Sequence, residues 1–114
     1  MVIVFGGAYQ GKLDFVKEKF NILDDDVLDL SKEGFSLDKK VIYHFEEVKK
    51  RNISFNKEDL KDKILVFNDE SLGLVPIDDF DRKYREDIGR LMVSLSKDAN
   101  EIYRVFLGIG ERIK

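Results

Sequence analysis

The sequence predicts an α/β domain of three layers, a small and mostly parallel sheet of about four strands with helices on both faces. Three observations predict it. Short apolar runs rich in β-branched residues alternate with segments of helical spacing, glycine or polar clusters punctuate the boundaries, and the first boundary is a glycine turn that ends in lysine. Strands alternating with helices need crossover connections, and crossovers leave successive strands parallel.

Val2 to Phe5 is an apolar β-rich run ending at Gly6-Gly7, and Lys12 to Phe20 then sets Phe15, Val16, Lys19 and Phe20 at near-helical spacing. Asp24 to Asp26 form a solvated turn before Val27 to Leu30, the second strand, which the turn-prone Ser31 to Gly34 closes. From Leu37 onward Val41, Phe45 and Val48 share one helical face, which predicts a helix fading near Arg51-Asn52, its basic end complementing the dipole. Asn56 ahead of Glu58-Asp59 predicts a short helix with an asparagine cap and acids near its positive end. Ile64 to Phe67 is a continuous apolar run, as expected of a strand covered on both faces, and a loop carries Asn68 to Pro76.

The longest helix is predicted to begin near Asp78 or Asp79, because Phe80, Tyr84, Ile88, Leu91, Met92 and Leu95 recur every three or four residues as one broad apolar stripe. Glu101 to Leu107 is the fourth predicted strand, after which Gly108-Ile109-Gly110 turns the chain toward a short ending.

Composition narrows the function classes. At 114 residues a single core is expected, and 43% hydrophobic with 38% charged residues describes a soluble globule with a charged surface. The absence of cysteine excludes disulfide scaffolds, zinc ribbons and thiol nucleophiles, and fits a cytoplasmic protein. A net charge of −3, from interspersed acids and bases, gives no basic stripe for nucleic acid. No apolar run approaches the ~20 residues of a membrane span, and Met1 to Phe5 lacks the basic start and cleavage site of a secretory signal.

The chemistry-bearing motif is Gly6-Gly7-Ala8-Tyr9-Gln10-Gly11-Lys12, which satisfies G-x-x-x-x-G-K between a strand and a helix. In such a loop glycines let backbone N–H groups converge on phosphate oxygens, the helix N-terminus adds positive potential, and the lysine ammonium reaches the terminal phosphates. Tyr9 and Gln10 are exposed by the loop and available to a ligand. Position 13 is leucine where this motif carries Ser or Thr as a hydroxyl ligand to magnesium, and Leu13 cannot coordinate a metal. Asp14 offers an oxygen through water. The loop by itself therefore predicts binding of ATP, GTP or another phosphate anion, with weakened or altered catalysis as the alternative to full phosphoryl transfer.

Three further segments sharpen this. Asn68-Asp69-Glu70-Ser71-Leu72-Gly73-Leu74-Val75-Pro76, then Arg82-Lys83-Tyr84-Arg85-Glu86-Asp87-Ile88-Gly89-Arg90, then Gly108 to Lys114 follow the glycine loop in one order. Together the four resemble the adenosylcobinamide kinase/adenosylcobinamide-phosphate guanylyltransferase family, with its G-G-A-R-S-G-K-S loop, N-E-V-G-x-G-I-V-P loop, R-x-F-R-D-x-x-G-R-x-N-Q helix and closing G-[IL]-x-x-x-[IL]-K segment. The resemblance implies a RecA-like P-loop fold, phosphorylation of the aminopropanol arm of adenosylcobinamide by a nucleoside triphosphate, and guanylyl transfer to the product. It also implies a corrinoid partner and a homo-oligomer. Carried over by position, Gly6, Gly7, Ala8, Tyr9, Gln10, Gly11 and Lys12 would hold the triphosphate. Asp69 and Glu70 would face the phosphates or a metal, and Arg82 and Arg85 would be anion contacts. Leu13, Glu86 and Met92 depart from the family motifs, and the middle of the chain is shorter than in full members.

Four residues stay open between readings. His44, the single histidine, is either the nucleotidylated nucleophile of the guanylyl step or a structural side chain. Asp29 ends the second strand either as an acidic metal partner or as a solvated strand-end acid. Arg82 and Arg85 meet substrate phosphate or pair with Asp79, Asp81 and Glu86 in a surface network. At the level of the whole chain, a non-catalytic nucleotide sensor or regulatory partner subunit is the alternative to the transferase.

Overall fold

The computed structural model describes residues 1–68 and 79–114. Its strands are β1 (Val2–Gly6), β2 (Val27–Asp29), β3 (Val41–Tyr43), β4 (Ile64–Asn68), β5 (Glu101–Phe106) and β6 (Ile109–Arg112). Its α-helices are α1 (Lys12–Phe20), α2 (Glu47–Lys50) and α3 (Asp79–Asp98). Among the described residues these strands form one sheet in the order β2-β3-β4-β1-β5-β6. All neighbours pair in parallel except β5 and β6, which are antiparallel.

This corrects the expectation of a RecA-like sheet of about four strands: the sheet has six among the described residues, and it is mixed. Two strands were not foreseen. The region expected to be a helix from Leu37 is instead β3 followed by the single turn of α2. Val41, Phe45 and Val48 do lie at helical spacing, but Val41 and Ile42 are adjacent and both fully buried. Adjacent residues can both be buried when a strand is covered on its two faces, and β-branched residues suit that pleated setting. The second is β6. Leu107 and Gly108 both have positive φ, 52° and 75°, the signature of a two-residue hairpin turn whose twist matches the flanking strands. The Gly108-Ile109-Gly110 segment thus folds back on β5, Phe106 opposite Ile109.

The central strands are buried on both faces, and their side chains divide by parity. Ile3, Leu28, Ile42, Leu65, Phe67 and Ile102 join Phe45, Val48, Leu60, Leu91 and Leu95 in one core, on the side of α2 and α3. Val4, Val41, Ile64, Val66, Tyr103 and Val105 join Val16, with Phe15 and Phe20 against them, on the side of α1. The apolar stripe of α3 is buried at Tyr84, Ile88, Leu91 and Leu95 as the spacing predicts. Asn56 caps a 3-10 turn at Lys57–Leu60, its side chain accepting from the Glu58 amide. Among the described residues no helix is long and apolar enough to cross a membrane.

Candidate functional site

The carboxyl ends of β1, β3 and β4 open on one cleft of about 350 Å³, lined by Ala8 to Asp14, Tyr43, His44 and Asn68. Ligands of open parallel sheets bind at this end of the strands, where loops diverge and helices begin. The loop between β1 and α1 forms one wall, and its glycines have local reasons. A Cβ on Gly6 would lie 2.4 Å from the Val105 carbonyl oxygen of β5, so nothing larger than glycine fits where β1 ends. Gly11 caps α1 at φ 82°, a left-handed conformation that side chains resist. Tyr9, also left-handed at φ 60°, projects fully into solvent at the loop tip.

Gln10 anchors the loop from behind. Its carbonyl accepts from the Gly108 amide at 2.7 Å and its side-chain oxygen accepts from the Leu107 amide at 2.7 Å. The hairpin turn unforeseen in the sequence is therefore what backs the loop, and it occupies the polar oxygens of Gln10 rather than leaving them to a ligand.

Lys12 and Glu46 are the two buried charged side chains among the described residues, 3% and 2% exposed, and both belong to this region. Lys12 Nζ donates to the Gly7 carbonyl at 2.6 Å. Burial holds the Lys12 ammonium below the ordinary lysine range, and the negative charge of Glu46 partly restores it. Glu46 Oε1 accepts from the Asn68 amide at 2.9 Å, and Oε2 lies 3.0 Å from His44 Nδ1. His44 itself turns the chain out of β3 at φ 59°, its ring centroid 4.0 Å from that of Tyr43 and tilted to it by 51°. Burial raises the pKa of the Tyr43 hydroxyl, and the charges of Asp29, Glu46 and Asp14 raise it further, so it stays protonated as a donor.

The structure thus brings together Gly6 to Lys12 and His44 from the residues the sequence singled out. Asp29 stands beside Tyr43 in register but does not line the cleft; its Oδ1 accepts from the Ser31 amide and hydroxyl at 3.0 and 2.6 Å, closing the turn after β2. Arg82 and Arg85 lie on α3, Arg82 exposed and Arg85 half-buried, and neither lines the cleft. Nearby, Glu86 and Asp87 pair with Arg90, and Asp87 with Lys83, as exposed contacts worth little. Asp69 and Glu70 lie outside the described residues. Among the described residues no group of three or more acidic or histidine side chains is arranged to hold a metal ion.

Sequence reasoning missed Glu46 and Tyr43. The usable signal was Val41-Ile42-Tyr43 read as a strand, which would have set His44 to Glu46 at a strand end beside the glycine loop.

Fold and cleft together define an α/β domain with a lysine-bearing glycine loop at the carboxyl ends of its parallel strands. The chain matches no protein-family model and no curated protein.

Proposed function

We propose that the chain is a cytoplasmic nucleotide-binding protein of cobalamin assembly, which takes ATP or GTP on the loop Gly6 to Lys12 and transfers a phosphoryl or guanylyl group to a cobinamide acceptor. Magnesium would accompany the phosphates, with Asp69 and Glu70 as candidate acids beside it. One observation carries the nucleotide part: an ammonium is buried at the edge of an open cleft with a carbonyl as its hydrogen-bond partner. Burying a charge is costly unless an opposite charge accompanies it, and a phosphate chain supplies that charge where Glu46 does so only in part. The acceptor rests on the order of the four sequence motifs. In the guanylyl step His44 would carry the nucleotide.

A second reading, a nucleotide sensor or regulatory subunit without turnover, is favoured by Leu13, which faces the cleft where a magnesium-binding hydroxyl is needed. Calorimetric titration with ATP, GTP and adenosylcobinamide, each with and without magnesium, tests both. Binding of a triphosphate with product formation supports the transferase. Binding without turnover, unrescued by Leu13→Ser, supports the sensor, whereas magnesium-dependent activity gained by Leu13→Ser identifies the missing ligand as the only defect. No binding of either nucleotide refutes both.

A further inference from the structure

Glu46 stands in the fold at the cost of burying a charge, beside the Lys12 ammonium it partly offsets. It is a carboxylate at 2% exposure, at the ends of two buried strands, where an apolar side chain of similar size would carry no desolvation cost. Each of its oxygens has one partner. Oε1 accepts from the Asn68 amide, a group that can only donate, and Oε2 meets His44 Nδ1 at 3.0 Å. A carboxylate in its ionised form only accepts, and against that form the contact places the imidazole proton on Nδ1. Nε2 is then the nitrogen with a free lone pair, on a ring that lines the cleft beside the glycine loop.

We infer that Glu46 is a positioning residue for His44: it fixes the ring orientation and the Nδ1–H tautomer, so that Nε2 is the basic nitrogen presented to the phosphate cleft. Its second role is charge compensation. When Nε2 bonds to an electrophile the ring becomes cationic, and the buried carboxylate against Nδ1–H stabilises that charge. This inference rests on the nucleotide reading above for its consequence, though not for its geometry. In the guanylyl step the Nε2 lone pair forms the bond to the α-phosphorus of GTP as the bond from that phosphorus to the bridging oxygen breaks. Pyrophosphate leaves with the electron pair, and Nδ1 keeps its proton. No base has to remove a proton from the histidine, which is the advantage of this tautomer over the other.

The same two contacts make Glu46→Gln a sharp test. A glutamine has one acceptor oxygen and one NH₂ group. The Asn68 amide demands the oxygen, so the NH₂ must face Nδ1; Nδ1 then has to accept, and the proton moves to Nε2. The nearly isosteric change is therefore expected to reverse the tautomer. An orienting carboxylate changed to its amide in a comparable histidine pair lowers turnover by up to ~10⁴-fold for this reason.

Because His44 is the single histidine, long-range ¹H–¹⁵N correlation spectra of ¹⁵N-histidine-labelled protein read its tautomer without assignment, at about pH 8.5 where a free imidazole is neutral. The wild type should show Nδ1–H and Glu46→Gln should show Nε2–H. GTP should perturb the Nε2 signal of the wild type, and nucleotide-dependent turnover should fall at least ~100-fold in Glu46→Gln, with GTP affinity by calorimetry changed less than ~10-fold. An Nε2–H wild type, or a tautomer indifferent to Glu46→Gln, overturns the inference. So does unchanged turnover in a Glu46→Gln protein whose tautomer has reversed. Absence of GTP binding by the folded wild type refutes the nucleotide reading instead, while the tautomer pair still decides what Glu46 does to His44. Should Glu46→Gln not fold, Asn68→Ala keeps the backbone amide and must leave the wild-type tautomer in place.

Discussion

Gly6→Ala puts the root of the loop to a quantitative test. The added methyl would sit 2.4 Å from the Val105 carbonyl oxygen and 3.5 Å from Lys12 Cδ. Side-chain Cβ atoms do not come within 3.0 Å of such neighbours, so the backbones must part by at least 3.0 − 2.4, that is 0.6 Å. The obstacle is a main-chain carbonyl of β5, which pairs with β1 from Val2 to Phe5 and cannot swing aside as a side chain would. Overpacking of this kind costs about 1–3 kcal/mol. For a domain of this size that is a fall in Tm of about 4–12 °C. Gly34 is the control, since its Cβ would meet nothing within 4 Å and its alanine variant should stay within about 0.5 kcal/mol of wild type. Thermal unfolding followed by circular dichroism, with urea midpoints at constant m-value, compares the three proteins. If Gly6→Ala melts with the wild type, or Gly34→Ala loses as much as Gly6→Ala, the close approach of β1 to β5 at this point is wrong, and with it the account of how the loop is seated.

Two other perturbations probe the same physics. Gly89 is an exposed position inside α3 whose Cβ would meet nothing within 4 Å, so Gly89→Ala should stabilise by about 0.5–1 kcal/mol and raise Tm by a few degrees; a lower Tm would contradict the open surroundings of this position. The Lys12 pKa is held below 10.5 by burial, so between its folded value and 10.5 the unfolded chain binds more protons, and stability should rise with pH across that window. Urea titrations of wild type and Lys12→Met should differ by that alkaline slope, present only in the wild type. The same variant should bind triphosphate about 10- to 150-fold more weakly, by the ~1.5–3 kcal/mol of one charged hydrogen bond. Equal slopes, or equal affinities, would contradict a buried ammonium that serves the cleft.

Local signals were legible where one residue type dominates the outcome. The bounds of α1 coincide with the predicted helix, because Gly11 can adopt the left-handed cap and Asn21 the same at the other end. Ile64 to Phe67 could be read as a doubly covered strand because four successive apolar residues admit no polar face. The helix expected from Leu37 to near Arg51-Asn52 failed for the converse reason: the spacing of Val41, Phe45 and Val48 also fits a three-residue strand, a sharp exit at His44 and one helical turn. His44 at positive φ breaks any continuous helix there, and histidine's enrichment in that conformation is too weak a signal to announce it. The site was half legible. Glycines and lysine mark the cleft loop by type and spacing, whereas Glu46 is one glutamate among many until its burial is known.

By itself the sequence determined where β1, α1, β2, β4, α3 and β5 fall, where the glycine loop lies, and that a lysine follows it, since these depend on neighbours within a few residues. Only the tertiary structure decided that Val2 pairs with Ile64 on one side and Glu101 on the other, that the Leu107-Gly108 turn holds Gln10, and that Glu46 joins His44 to the Asn68 amide. Pairings across such separations are selected by the burial of whole faces and by loop closure, energies that no local window of residues contains.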